Sequence, residues 1–220
     1  MKMEIKLVKD ILEANEVIAA QNRAFFAQQG VYVVNLMGTP GAGKTTLLER
    51  TIEGLKGKRK MAVIEGDIAT SRDAERIAAH DIPAVQINTG GACHLDGNMV
   101  RGGLGQLDLN GIELLVVENV GNLVCPAEFT IGEDAKVMIC SVTEGDDKPL
   151  KYPLMFQVSS VLLLNKTDLL PHVAFDLERF RGDALKINPC LEIMPLSCQS
   201  GEGLDTWLRW LKERSVTKGE

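Results

Sequence analysis

Apolar residues in this chain fall into short, nearly continuous runs, separated by stretches in which they recur every three or four positions. The runs lie at about 31–37, 60–66, 84–89, 113–120, 135–141, 160–166 and 190–196, and most are rich in Val, Ile and Leu. Continuous apolar runs of this length describe strands buried on both faces. Helical patterns lie between several of them, near 44–56, 71–80, 97–107, 149–157 and 173–186, and a last helix over Leu204–Leu211 carries both tryptophans. Ahead of the first run, residues 3–29 read as one amphipathic helix. Its apolar stripe is Leu7, Ile11, Ala14, Ile18 and Phe25, and Gly30 is its C-terminal cap. The repeated βα alternation predicts an α/β fold with a mainly parallel sheet of about seven strands and helices on both faces. No repeat or linker interrupts it, so residues 1–220 are expected to form a single domain that frays after Arg214.

Composition narrows the class. A chain of 220 residues, 45% of them hydrophobic, suits one sizeable core. The net charge of -6, without a prominent Lys/Arg block, argues against nucleic acid as a partner. The apolar runs are too short to span a bilayer and no secretory signal is present, so a cytoplasmic, membrane-free protein is expected. The five cysteines are odd in number and contain no Cys-x-x-Cys, which disfavours a disulfide framework. Cys140 ends an apolar run and reads as core; Cys190 follows Pro189 and has no evident partner.

Residues Gly38, Thr39, Pro40, Gly41, Ala42, Gly43, Lys44 and Thr45 spell a complete phosphate loop, and Thr46 continues into a helical pattern. Its position between a β-branched run and a helix makes it a site, giving a P-loop NTPase fold. Loop amides and the helix N-terminus donate to phosphate oxygens. Lys44 reaches the β- and γ-phosphates, and the Thr45 hydroxyl can ligate Mg²⁺. Further Mg²⁺ ligands are sought at the carboxyl ends of strands: Asp67, then Asp73 (equally readable as a helix-start charge), and Glu118. Glu118-Asn119-Val120-Gly121 has the form of a switch with Glu in place of Asp. Position 122 is Asn, so no Gln follows to orient water, and hydrolysis is expected to be slow.

Asn165-Lys166-Thr167-Asp168 follows a strand and resembles the N-K-x-D signature of GTPases. Asp168 can accept from guanine N1–H and N2–H₂, Asn165 can donate to the other edge of the base, and the Lys166 stem can cover its face. Ser197-Cys198-Gln199 resembles the short loop that backs guanine in such enzymes, with Cys198 a small loop residue and not a nucleophile. GTP is therefore the expected substrate. A kinase with the same P-loop and a purely regulatory GTPase are the rival readings.

Cys93, His94 and Cys125 lie after two of the strands, at the edge that holds the nucleotide, and form a soft set suited to Zn²⁺ or Ni²⁺. Two buried thiols and a satisfied loop histidine would look the same. Adjacent residues project divergently, so Cys93 and His94 are expected to chelate one ion poorly. Three ligands also leave a tetrahedral site one short. Pooling ligands across a twofold axis eases both difficulties.

Gly-Thr-Pro-Gly-Ala-Gly-Lys-Thr-Thr at 38–46, Thr-Gly-Gly-Ala-Cys-His-Leu-Asp at 89–96, Glu-Asn-Val-Gly-Asn-Leu-Val-Cys-Pro at 118–126, Gly-Asp-Asp-Lys-Pro-Leu-Lys-Tyr-Pro at 145–153 and Asn-Lys-Thr-Asp at 165–168 together resemble the HypB family. These are GTPases that help insert nickel during maturation of nickel–iron hydrogenase. The resemblance runs from about residue 5 to 212, and the Cys-His and Asn-Leu-Val-Cys-Pro blocks separate it from urease accessory GTPases. It implies a nucleotide-linked nickel or zinc site at Cys93, His94 and Cys125, placed at the interface of a nucleotide-dependent homodimer. It implies partners in the hydrogenase large subunit and a HypA-like nickel-delivery protein. The Lys148–Pro153 block becomes a candidate dimer surface, with Lys148 or Lys151 reaching the other chain's nucleotide. Many relatives carry an N-terminal Cys-x-x-Cys-Gly-Cys site; this chain has no Cys before Cys93, so only the site in the GTPase domain is expected.

Overall fold

The computed structural model describes residues 3–67, 76–77 and 79–215, with side chains from Lys9 onward. Seven strands form one sheet: β1 (Tyr32–Gly38), β2 (Met61–Asp67), β3 (Ala84–Asn88), β4 (Leu114–Glu118), β5 (Ala135–Ser141), β6 (Val161–Asn165) and β7 (Glu192–Pro195). Their order is β3-β2-β4-β1-β5-β6-β7, and each neighbouring pair is parallel.

The continuous apolar runs resolve into two faces because side chains alternate along a strand. Val34, Leu36, Val116, Val137, Ile139 and Leu163 face one side, where α2 (Lys44–Leu55) and the C-terminal helix cover them with Leu47, Leu48, Trp207 and Trp210. Val33, Ile64, Leu115 and Val117 face the other side beneath Phe26 of α1 (Met3–Gln29) and Val100 of α3 (Gly97–Leu104). Met37, Met138, Cys140 and Leu164 continue that side beneath Phe156 and Phe180. Cys140 is core, as its apolar run implied, and burial pushes its thiol far above the usual range.

Several helices differ from the periodicity. The pattern at 149–157 breaks into α5 (Lys148–Lys151) and α6 (Pro153–Val158). Pro153 disfavours helical backbone at Tyr152, which adopts φ -130° and ψ 53°. The pattern at 173–186 starts later, as α7 (Leu177–Ile187), because the Asp176 carboxylate accepts from Arg179 N and caps the helix there. A single turn, α4 (Cys125–Glu128), arises where Pro126 occupies the first helical turn. The last helix, α8 (Leu204–Ser215), ends one residue past Arg214, where Ser215 Oγ accepts from Arg59 Nε at 3.1 Å, and the tail expected to fray lies outside the described residues. Most of the pattern at 71–80, including Asp73, lies outside the described residues.

The largest departure is in α1. The helix spans the expected residues and ends at Gly30, with φ 69°. Its buried stripe, however, is Asn15, Ala19, Asn22 and Phe26, whereas Ile11 and Phe25 are 50% and 40% exposed. The stripe rotates by one residue because α1 rests partly on loops, whose backbone groups demand hydrogen-bonding partners.

Candidate functional site

The carboxyl ends of β1, β2 and β4 lie side by side, with Leu36 opposite Glu118 and Glu118 opposite Glu65. Ligands bind at this edge of a parallel sheet. The phosphate loop leaves β1 and turns into α2 through Gly41 at φ 77° and Gly43 at φ 103°, conformations that suit glycine. A Cβ on Gly43 would also sit 2.4 Å from Asn165 Nδ2. A cavity of about 540 Å³ opens above the loop, lined among others by Lys44, Thr45, Asp67, Glu118 and Gly121. Lys44 Nζ donates to Gly38 O at 3.4 Å and to Thr39 O at 3.2 Å. The Thr45 hydroxyl donates to Glu118 Oε1 at 3.0 Å. Hydroxyl and carboxylates thus supply an all-oxygen donor set of the kind a hard cation takes. Glu65, 4% exposed, and Arg76, ion-paired with Glu49 at 2.6 Å, also line the cavity. Neither residue is among those expected at the site. Only the strand-end position of Glu65, beside Asp67, hinted at the site. Asp73, the remaining expected Mg²⁺ ligand, is outside the described residues.

A second cavity, of about 340 Å³, shares Gly43, Thr46 and Lys166 with the first and is lined further by Asn165, Asp168, Cys198 and Gln199. The two cavities therefore adjoin. Ser197, fully buried, donates its hydroxyl to Asp168 Oδ1 at 2.5 Å and fixes that carboxylate. Asn165 is engaged at both ends of its amide. Its Nδ2 donates to Ala42 O at 2.9 Å and its Oδ1 accepts from Cys198 N at 3.1 Å. At 2% exposure it ties the phosphate loop to the Ser197–Gln199 loop. Lys166, at φ 62°, donates to Gly41 O at 2.8 Å, so its stem lies across the cavity mouth. Burial pushes the Cys198 thiol up to about 11, consistent with a packed loop residue and not a nucleophile.

Cys93, His94 and Cys125 meet. One ligand atom from each lies within 4.8 Å of the others. Cys93 Sγ is 3.0 Å from Cys125 Sγ and 3.7 Å from His94 Nδ1. The anticipated divergence of Cys93 and His94 is thus not found. The chain turns sharply through Gly90 and Gly91, at φ 61° and 103°, and the His94 ring is held against Phe129 at 4.1 Å between centroids. Asn122 bridges the two ligand loops, donating from Nδ2 to Cys93 O at 3.3 Å and accepting from Val124 N. Asn119, at the tip of β4, accepts from Leu95 N and donates to Asn35 Oδ1 on β1. Burial holds the His94 imidazole below its usual pKa, so it stays neutral and able to ligate. The hydrogen bond with Cys93, then burial, raises the Cys125 thiol. The cluster spans exposed to half-buried positions at the surface.

The segments that carry these two groups of residues touch. A Cβ on Gly121 would lie 2.8 Å from Pro40 Cγ, so the segment leading to Cys125 presses on the phosphate loop. Gly38 also bridges to Asn122. Lys148 pairs with Glu144 at 3.3 Å, and Glu144 accepts from Thr39 Oγ1 at 2.6 Å, while Lys151 pairs with Asp147 at 2.6 Å. In this chain both lysines are held by carboxylates of their own surface. Leu150, Leu154 and Val124 are 66%, 40% and 52% exposed.

A parallel sheet with this loop at the end of its central strand defines a P-loop nucleotide-binding protein. Residues 32–195 match the model of the CobW/HypB/UreG nucleotide-binding domain. The chain is 53% identical over 214 residues to hydrogenase maturation factor HypB of Azotobacter vinelandii, covering 97% of this chain and 71% of that protein. It is 52% identical over 203 residues to the factor of the same name from Escherichia coli K12, covering 92% and 70%. A crystal structure of HypB from Helicobacter pylori in complex with nickel superposes with a TM-score of 0.87 at 35% identity, over 92% of this chain and 95% of that one. The chain belongs to the HypB family. Among the described residues no helix is long and apolar enough to cross a membrane.

Proposed function

We propose that this protein is a cytoplasmic, single-domain GTPase that carries nickel, or zinc, at Cys93, His94 and Cys125 and assists nickel insertion into nickel–iron hydrogenase. The observation that carries the reading is the convergence of two thiols and an imidazole within 4.8 Å, on a segment packed against the phosphate loop. Two soft sulfurs and a neutral imidazole select a borderline metal over Mg²⁺.

GTP lies across the two adjoining cavities. Asp168, fixed by Ser197, accepts from the guanine edge; Lys166 and the Ser197–Gln199 loop flank the base; loop amides and Lys44 take the phosphates. Thr45, Asp67 and Glu118 would hold Mg²⁺, whose charge assists phosphoryl transfer when it is bound. Lys44 exchanges its loop carbonyls for phosphate oxygens, and this rearrangement of Gly38 and Thr39 is transmitted through Pro40 to Gly121 and Cys125. A γ-phosphate would thereby favour the homodimer, in which the exposed Val124 and the Leu150–Leu154 surface become covered. Pooled ligands from two chains would complete the metal's coordination. Hydrolysis would loosen the pair and release nickel toward the hydrogenase large subunit, with a HypA-like protein as delivery partner.

The test is a metal titration by chelator competition, with oligomer size measured in parallel, in GDP and in a non-hydrolysable GTP analogue. Tighter or weaker metal binding between states, with a matching shift in dimerisation, is expected. Identical affinity and size in both states would leave two unconnected sites.

A further inference from the structure

The asparagines buried on α1 have no place in nucleotide binding. Asn15 and Asn22 are 7% and 2% exposed, one turn either side of Ala19. Asn15 Oδ1 accepts from Gly97 N at 2.8 Å while its Nδ2 donates to Thr130 O at 2.8 Å. Asn22 Nδ2 donates to Gly97 O at 2.8 Å and to Ile131 O at 3.1 Å. Each side chain therefore grips the same two loops. Gly97 follows Cys93 and His94 by a few positions, and Thr130 and Ile131 follow Cys125 and Phe129, the ring against which His94 packs.

Both loops approach α1 through glycine. A Cβ on Gly97 would lie 3.2 Å from Ala19 N, and one on Gly132 would lie 2.8 Å from Ala19 O. Gly132 also has φ 98°, so space and backbone conformation both favour glycine there. The carboxamides thus sit at a tight three-way junction of α1 and the two segments that carry the thiols and the imidazole. An apolar helix face would pack against the loops but take these partners from Gly97 N, Thr130 O and Ile131 O.

We infer that Asn15 and Asn22 are positioning residues for the metal site, and that α1 acts as the splint that sets the distance between the Cys93–His94 loop and the Cys125 turn. This rests on the metal reading proposed above. Groups that orient metal ligands from outside the coordination sphere typically change affinity by about 10- to 100-fold when removed. Displacement of α1 would reach the metal without touching a ligand.

The test substitutes Asn22→Leu, close in shape but without donors, and Asn15→Asp, which keeps the acceptor toward Gly97 N and loses the donor toward Thr130 O. Asn188→Leu is the control: Asn188 Nδ2 performs the same service for Phe156 O, Gln157 O and Ser159 O, at the end of α6 and outside the α1 junction. Nickel affinity is measured by chelator competition, and the thiolate-to-nickel charge-transfer absorption is recorded alongside. Both α1 variants should weaken nickel binding about 10- to 100-fold and shift the absorption band, with GDP affinity unchanged. Asn188→Leu should lower the melting temperature and leave affinity and band in place. Where Asn22→Leu does not fold, Gly97→Ala, which wedges the same junction, takes its place with the same expectation. Wild-type affinity and band in the folded α1 variants, with Cys93→Ser impaired, would overturn the splint and leave the metal site standing. Wild-type affinity in Cys93→Ser itself would overturn the metal site.

Discussion

Asp168 recognises its ligand with a carboxylate already oriented by the Ser197 hydroxyl. Asp168→Asn should move preference from GTP toward XTP, because the amide donates where guanine offers an amine and xanthine a carbonyl; competition between the two nucleotides checks it. Ser197→Ala should weaken GTP binding about tenfold, the roughly 1.5 kcal/mol of a hydrogen bond to a charged group, without changing base preference. Lys44→Ala should abolish turnover, since charge neutralisation carries most of phosphoryl transfer; a wild-type kcat would refute the loop's role. At the metal end, the raised Cys125 thiol must lose its proton to bind. Affinity should therefore fall as pH drops and continue to climb above neutrality, in a chelator titration across pH. Most residues that line the two cavities were legible in sequence because each motif is contiguous and its chemistry local. The bonds that Asn165 makes were not legible, for the opposite reason. Its partners, Ala42 O and Cys198 N, come from two distant loops, and only the fold shows its amide engaged at both ends.

Among the elements, strands were the most legible. Seven apolar runs became seven strands, since burial on both faces leaves few alternatives for such a run. The α1 stripe was not legible, because a helix that rests on loops buries amides, and hydrophobic periodicity then points to the wrong face. The single turn at Cys125–Glu128 was too short to show any period. The segment from Glu118 to Cys125 has the most to transmit. Gly121→Ala places a methyl against Pro40 and should weaken the link between nucleotide and metal more than either isolated affinity. Cys93→Ser and Cys125→Ser should each abolish tight metal binding, whereas Cys190→Ser, at an exposed position remote from the ligand cluster, should not. Equal losses in all three would point to unfolding and not to coordination.

For the molecule as a whole, linkage fixes the form of the coupling. If the γ-phosphate changes metal affinity by some factor, metal must change affinity for the GTP analogue by the same factor, typically about 1–3 kcal/mol or roughly 5- to 150-fold. Unequal factors in paired titrations would mean that oligomerisation had not been held constant. Val124, 52% exposed beside Cys125, should be covered in the dimer. Val124→Glu should abolish nucleotide-dependent dimerisation by light scattering while sparing GDP affinity of the monomer.

The same junction orders events during synthesis. Helix α1 leaves the ribosome before the groups that Asn15 and Asn22 bind, which lie 75 to 115 residues further along the chain. Strand β1 likewise waits for β4 and β5 on either side. Helix α1 must therefore form early and complete its docking late, its asparagine amides waiting for these loops until the chain has passed Ile131. Contacts this far apart in sequence make for slow closure. Stalled chains ending near residue 112 should be cleaved by protease within α1, and chains released after β5 should resist.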